Sequence, residues 1–139
     1  MADRDLLDAK VESIERCLKR IEERVPTSAE ALETDYDAQD IISVNLQRAV
    51  QLSVDLASHL ITMRGWPAPD TMGGTFTTLE REGILDADLA DRLRRAVGFR
   101  NVSVHEYEGM DWRRVYRIVT EHLGDFRHYA KRVVHAWEH

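Results

Sequence analysis

Apolar residues at Leu7, Val11, Ile14, Leu18, Ile21 and Val25 recur at alternating steps of four and three. That spacing lines one face of an α-helix and does not suit a half-buried strand, whose side chains alternate every second residue. It predicts a first long helix that Pro26 stops, because proline brings no N–H to the next turn. No segment of the chain carries a competing period of two, so the fold class is all-α.

The same reading sets out the remaining elements. A polar, acidic connection follows Pro26. Asp37, with Asp40 three positions on, is the expected cap of a second helix whose buried face is Ile42, Leu46, Val50, Ser53, Ala57 and Leu60. It should end near Met63, before the breaker sequence GWPAPD. Thr75 is the expected cap of a short third helix carrying Phe76 and Leu79, with Gly83 after its last turn. Asp86 suits a fourth, through Leu89, Leu93, Ala96 and Val97. Gly109 and Asp111 make the next turn and cap, and one last helix carries Val115, Val119, Leu123, Phe126, Ala130, Val133 and Trp137. The expectation is an up-and-down bundle of four long helices plus one short one, a single domain over residues 1–139. A chain of 139 residues suffices for one buried core. Trp66, Trp112 and Trp137 are read as filling junctions between helices.

Cys17 is the only cysteine, so the chain can form neither an internal disulfide nor a cysteine metal cluster. The opening MADRDLLDAK lacks the apolar centre of a signal peptide, and no apolar run approaches the roughly 20 residues that cross a bilayer. The reading is a soluble, cytoplasmic protein with no membrane association. Net charge is -6, but it is unevenly placed. From Arg92 to Arg117 there are seven arginines against three acids, whereas Thr27 to Asp40 holds five acids and no base. A basic region on an acidic protein can attract a phosphate backbone or an acidic partner. It can also be no more than a solvated surface.

Within the basic region, RNVSVHEY at residues 100–107 gathers Arg100, Asn101, His105 and Tyr107. Arginine is a permanent cation whose fork matches phosphate oxygens, and imidazole can move the proton of an attacking hydroxyl or a leaving oxygen. On a regular helix, five steps of about 100° leave Arg100 and His105 roughly 140° apart, so they do not point at one spot. Asn101 and His105, four apart, share a face. Either the helix unwinds near the β-branched Val102 and Val104, or two copies of the chain face each other across an axis and bring two arginines and two histidines into one cleft. Such a site needs no metal if the 2′-hydroxyl of RNA is the nucleophile, which favours RNA over DNA as substrate. The six histidines show no HExxH arrangement and no clustering with carboxylates at ligand spacing, so no metal and no cofactor is expected. His122, close to the apolar stripe, reads as a core or interface residue.

The segment GFRNVSVHEY, at the end of a long helix and before a turn and a final helix, resembles the R-x4-H-x-Y signature of HepT-like toxins, helical ribonucleases of the HEPN superfamily. NLQRAVQLSVDLASHL at 45–60 and EHLGDF at 121–126 extend the resemblance over most of the chain. It implies a homodimer that cuts RNA without metal in an interfacial cleft, with Arg100 and His105 catalytic and Asn101 organising the site. Arg95, Arg113 and Arg114 are then the candidate contacts to the RNA backbone. It further implies a cognate minimal nucleotidyltransferase antitoxin that transfers AMP from ATP to Tyr107, as in type VII-like toxin–antitoxin pairs. A negatively charged nucleotide two residues from His105 would obstruct the cleft and repel RNA. The competing readings are a non-catalytic binding subunit of a nucleotidyltransferase complex, and a plain structural dimerisation bundle.

Overall fold

The computed structural model describes residues 2–139, with side chains from Asp3 onward. Among the described residues seven α-helices follow one another: α1 (Ala2–Arg24), α2 (Ala29–Thr34), α3 (Tyr36–Arg64), α4 (Met72–Arg81), α5 (Ala87–His105), α6 (Trp112–Glu121) and α7 (Leu123–Glu138), with a 3₁₀ turn (Tyr107–Gly109) between α5 and α6. The stripe read from the sequence is the seam of α1: Leu7, Ile14, Leu18 and Ile21 are all buried against α3. With α1, α4, α5 and α7 packed around it, α3 is the centre of the bundle. Its buried Ile42, Leu46, Val50, Ala57 and Leu60 meet Phe76 and Leu79 of α4, Leu89 and Leu93 of α5, and Phe126 and Val133 of α7 in one continuous core. Tyr129 lies wholly inside that core and donates its hydroxyl hydrogen to Ser53 O at 2.6 Å, so its polar end is satisfied where water cannot reach.

The expected four long helices plus one short one are corrected to seven, in two places. The acidic connection after Pro26 contains α2. Ser28 caps it by accepting from Ala31 N at 3.0 Å, and the fully buried Leu32 pins it to the core. The single last helix divides into α6 and α7. His122 closes α6 with its N–H on Ile118 O, and Asp125 N bonds to His122 O at 3.0 Å as the next helix starts. Gly124, a poor helix former, sits at this break. The apolar stripe passes through undisturbed, from Val119 to Leu123 to Phe126, and for that reason the periodicity could not show it.

Two caps also differ. Asp35, not Asp37, starts α3 by accepting from Ala38 N at 3.0 Å, which frees Asp40 for another partner. Thr71, not Thr75, caps α4 by accepting from Gly74 N at 3.0 Å, while Thr75 bonds back to Met72 O inside the helix. Asp86 caps α5 as expected, accepting from Leu89 N at 2.8 Å. Gly65 ends α3 in the left-handed conformation, φ 70°, with its N–H on Ile61 and Thr62 carbonyls. Trp66, Trp112 and Trp137 each pack, partly buried, against the core. No helix among the described residues is long and apolar enough to cross a membrane.

Candidate active site

The last turn of α5 and the 3₁₀ turn behind it carry the motif. α5 stays helical through His105, and Glu106 closes it by donating its N–H to Val102 O at 2.7 Å. The helix therefore does not unwind at Val102 to Val104 to swing Arg100 towards His105. Arg100 Nη1 instead donates to Asn101 Oδ1 at 3.2 Å, and the His105 imidazole is exposed at the helix end with no hydrogen-bond partner among the described residues. Arg100, half-buried, and His105, exposed, make no hydrogen bond to a common partner among the described residues.

Two contacts fix this helix end against α3. Gln47 Nε2 donates to the buried Ser103 Oγ, between Asn101 and His105 in sequence. One turn away, Tyr107 Oη donates to Asp40 Oδ1 at 2.6 Å. The Tyr107 ring is held edge-on to Trp112, centroids 5.6 Å apart. Partial burial, then the hydrogen bond and negative charge of Asp40, push the Tyr107 phenol from 10.0 up to about 12. The buried Ser43 hydroxyl, close to the phenol oxygen without completing a full hydrogen bond, pulls the other way. The phenol is thereby kept protonated, and its proton points at a carboxylate.

The arginines of the basic region differ in how free they are. Arg92 pairs with Asp125 at 2.9 Å, Arg94 with Glu80 at 2.9 Å, Arg95 with Asp91 at 3.1 Å, and Arg113 with Glu33 at 2.7 Å. Arg114 lies over the Phe99 ring, 4.9 Å from its centroid, and neither it nor Arg100 or Arg117 pairs with a carboxylate among the described residues. Val102 and Val104 beside the motif, and Val44 on α3, are large apolar side chains left exposed, with Tyr36, Leu6 and Met63 elsewhere. Among the described residues no three or more His, Cys, Asp or Glu side chains are grouped to hold a metal ion.

Sequence reasoning found Arg100, Asn101, His105 and Tyr107 as neighbours but missed Asp40 and Gln47. Both come from α3, more than 50 positions away, and Asp40 read as part of a cap. The only available signal was an acid in the first two turns of a helix whose cap was already supplied by Asp35.

The family model "Ribonuclease HepT-like" matches residues 14–133. The mRNA nuclease HepT of Shewanella oneidensis is 31% identical over 125 residues, which is 90% of this chain and 93% of that protein. The tRNA nuclease HepT of Aphanizomenon flos-aquae is 23% identical over 128 residues, 92% of this chain and 87% of that protein. In solved structures, the chain superposes on the tri-AMPylated Shewanella oneidensis HEPN toxin in complex with its MNT antitoxin with a TM-score of 0.87 at 31% identity, covering 95% of this chain and 98% of that one. The motif, the fold around it and these matches together show that the chain belongs to the HepT-like ribonuclease family.

Proposed function

We propose that the chain is the ribonuclease toxin of a toxin–antitoxin pair, cutting RNA without a metal through Arg100 and His105 and silenced when a nucleotidyltransferase antitoxin transfers AMP to Tyr107. The observation that carries this reading is the arrangement at the end of α5: an exposed imidazole, a guanidinium with no carboxylate partner among the described residues, and two residues beyond the imidazole a tyrosine hydroxyl held by Asp40. The tri-AMPylated Shewanella oneidensis HEPN toxin, solved in complex with an MNT antitoxin, supports the regulatory half.

In the cleavage step the 2′-hydroxyl of RNA attacks the adjacent phosphorus, the bond to the 5′-oxygen breaks, and a cyclic phosphate and a free 5′-hydroxyl result. His105 takes or returns the proton, and Arg100 meets the charge that builds on the non-bridging oxygens. One copy presents the two groups on different sides of a regular helix. A homodimer with α5 ends facing across a two-fold axis supplies both to one phosphate, and the exposed Val44, Val102 and Val104 give it an apolar seam beside the motif. RNA and ATP, which the pair consumes, are both cytoplasmic.

Incubation of the protein with its nucleotidyltransferase and ATP should add whole AMP masses that map to Tyr107 and vanish in Tyr107→Phe. Unmodified protein should cleave RNA, and His105→Ala should lose about 10²-fold or more of that activity. Absence of a His105-dependent activity in unmodified dimer would leave only a non-catalytic binding role.

A further inference from the structure

Beyond the motif, one group of cations without carboxylate partners lies between α1 and α3. Arg16, Arg20 and Arg24 lie at steps of four on α1, and Arg48 faces them from α3. Not one of the four pairs with a carboxylate among the described residues, although most arginines between Arg92 and Arg113 do. Arg16 makes only a hydrogen bond to Ser13 Oγ, at 2.9 Å. Three of these guanidiniums converge. Arg16, Arg20 and Arg48 line one open groove of about 410 Å³ together with Cys17, Asn45 and Gln51, and no acid lines it. Burial pushes the Cys17 thiol up against the opposing pull of Arg48, Arg20 and Arg16, so all three act on one point of the groove floor.

That floor contains a second feature. Asn45 is 4% exposed, its Nδ2 donates to Ile41 O at 2.8 Å, and its Oδ1 has no partner. A buried acceptor without a donor is a polar point in the groove wall that the protein itself leaves unsatisfied. The groove also continues. Arg20, Asn45 and Arg48 line a second depression of about 480 Å³, whose far side holds Arg24, Glu23 and Asp40. Asp40 is the residue that holds Tyr107. The arginine groove therefore opens at the motif.

We propose that the α1–α3 groove, through Arg16, Arg20 and Arg48, holds the phosphate backbone of a single-stranded RNA whose cleaved bond lies at the His105 end. The inference rests on the reading that the chain acts on RNA. Steps of four along α1 advance about 6 Å each, a repeat that successive phosphates of an extended strand can follow. Guanidiniums bind phosphate oxygens through paired donors, and three of them along one groove can hold successive phosphates. The concave, acid-free section suits a strand better than a flat protein surface.

The test is binding of a labelled single-stranded RNA of about a dozen nucleotides, measured by fluorescence anisotropy with the His105→Ala protein so that nothing is cut. Combined Arg16→Gln, Arg20→Gln and Arg48→Gln changes should weaken binding at least tenfold near 0.1 M salt. They should also lower the slope of log affinity against log salt by about 2, at roughly 0.7 per phosphate released. Arg48→Gln alone should lower it by about 0.7, and the three lysine replacements should keep the slope. Unchanged affinity and slope in the glutamine protein would overturn the proposal, as would failure of the parent to bind RNA. Intact RNA binding with lost binding of the nucleotidyltransferase would overturn it too, and assign the groove to the protein partner. Groove-dependent binding by a wild-type protein that cuts nothing would uphold the groove and refute the nuclease reading.

Discussion

The hydrogen bond from Tyr107 to Asp40 makes a thermodynamic claim that can be worked out in full. The folded protein raises the phenol from 10.0 to about 12, which in a fully enclosed site would correspond to about 2.7 kcal/mol between phenol and phenolate. Burial is the largest cause of that shift and belongs to Tyr107 alone; the hydrogen bond and charge of the exposed Asp40 come next and are screened by solvent, which leaves the pair about 1 kcal/mol. Because the folded value lies above the unfolded one, the stabilisation is complete below about pH 10 and disappears as pH climbs towards about 12. Urea unfolding of the wild type, Asp40→Ala, Tyr107→Phe and the double variant, at one protein concentration, isolates the pair from everything else that titrates. The coupling should be about 1 kcal/mol at pH 8 and should shrink at pH values above about 10. Tyr129, which burial also raises, is common to all four proteins and cancels. A coupling under about 0.3 kcal/mol at pH 8, or one that grows with pH, would refute the idea that Asp40 holds the Tyr107 proton.

Two further outcomes follow from the packing. Arg127 bridges α7 to α1 through Glu15 at 2.9 Å and Glu22 at 2.8 Å, and its hydrogen bonds hold the Glu22 carboxyl below its ordinary value. Arg127→Ala should cost about 1 kcal/mol at low salt and less at high salt; since the folded Glu22 value is the lower one, the difference should persist above the ordinary carboxylate range and fade as pH drops through it, as urea titrations would register. Tyr129→Phe should cost about 1–2 kcal/mol in the same assay by stripping Ser53 O of its side-chain donor inside the core, and no loss would mean that carbonyl is satisfied without it.

What could be read from the sequence was what lies along single helices. The apolar stripes of α1, α3 and α5 foretold their buried faces, because burial and the 3.6-residue period are written in the same residues. The break at His122 escaped because Leu123 and Phe126 keep the stripe in phase across it, so only the polar backbone records the interruption. α2 escaped because six residues around a single buried leucine establish no period. At the site, a contiguous motif was legible whereas its braces from α3 were not, since a contact across more than 50 positions leaves no local pattern. Charge misled in an instructive way. The arginine count between Arg92 and Arg117 was right, but Asp91, Glu80, Glu33 and Asp125 answer four of those cations, and the free ones on α1 and α3 were diluted in a stretch rich in acids.

These free arginines alter what a nucleotide on Tyr107 would do. The phenol oxygen meets Asp40 at the mouth of the α1–α3 groove, so a phosphodiester formed there puts a second negative charge beside the first. It also removes the only hydrogen that the phenol can donate, which releases the carboxylate. At about 6 Å in water each such charge repels an incoming phosphate by about 0.7 kcal/mol, roughly a threefold loss of affinity, and the adenosine covers the mouth besides. On the His105→Ala protein, AMP at Tyr107 should therefore weaken RNA binding by at least about threefold at low salt through its charge, and further through the cover of the adenosine. The gap to unmodified protein should narrow as ionic strength rises past about 0.15 M, where the screening length is about 8 Å. A loss equal at every salt would leave steric cover as the whole effect, and no loss at any salt would show that the strand does not pass Tyr107. Inhibition by partial charge repulsion has a consequence that steric cover lacks: successive AMP groups would each add to it, so affinity should fall stepwise with the number of nucleotides attached rather than saturate at the first.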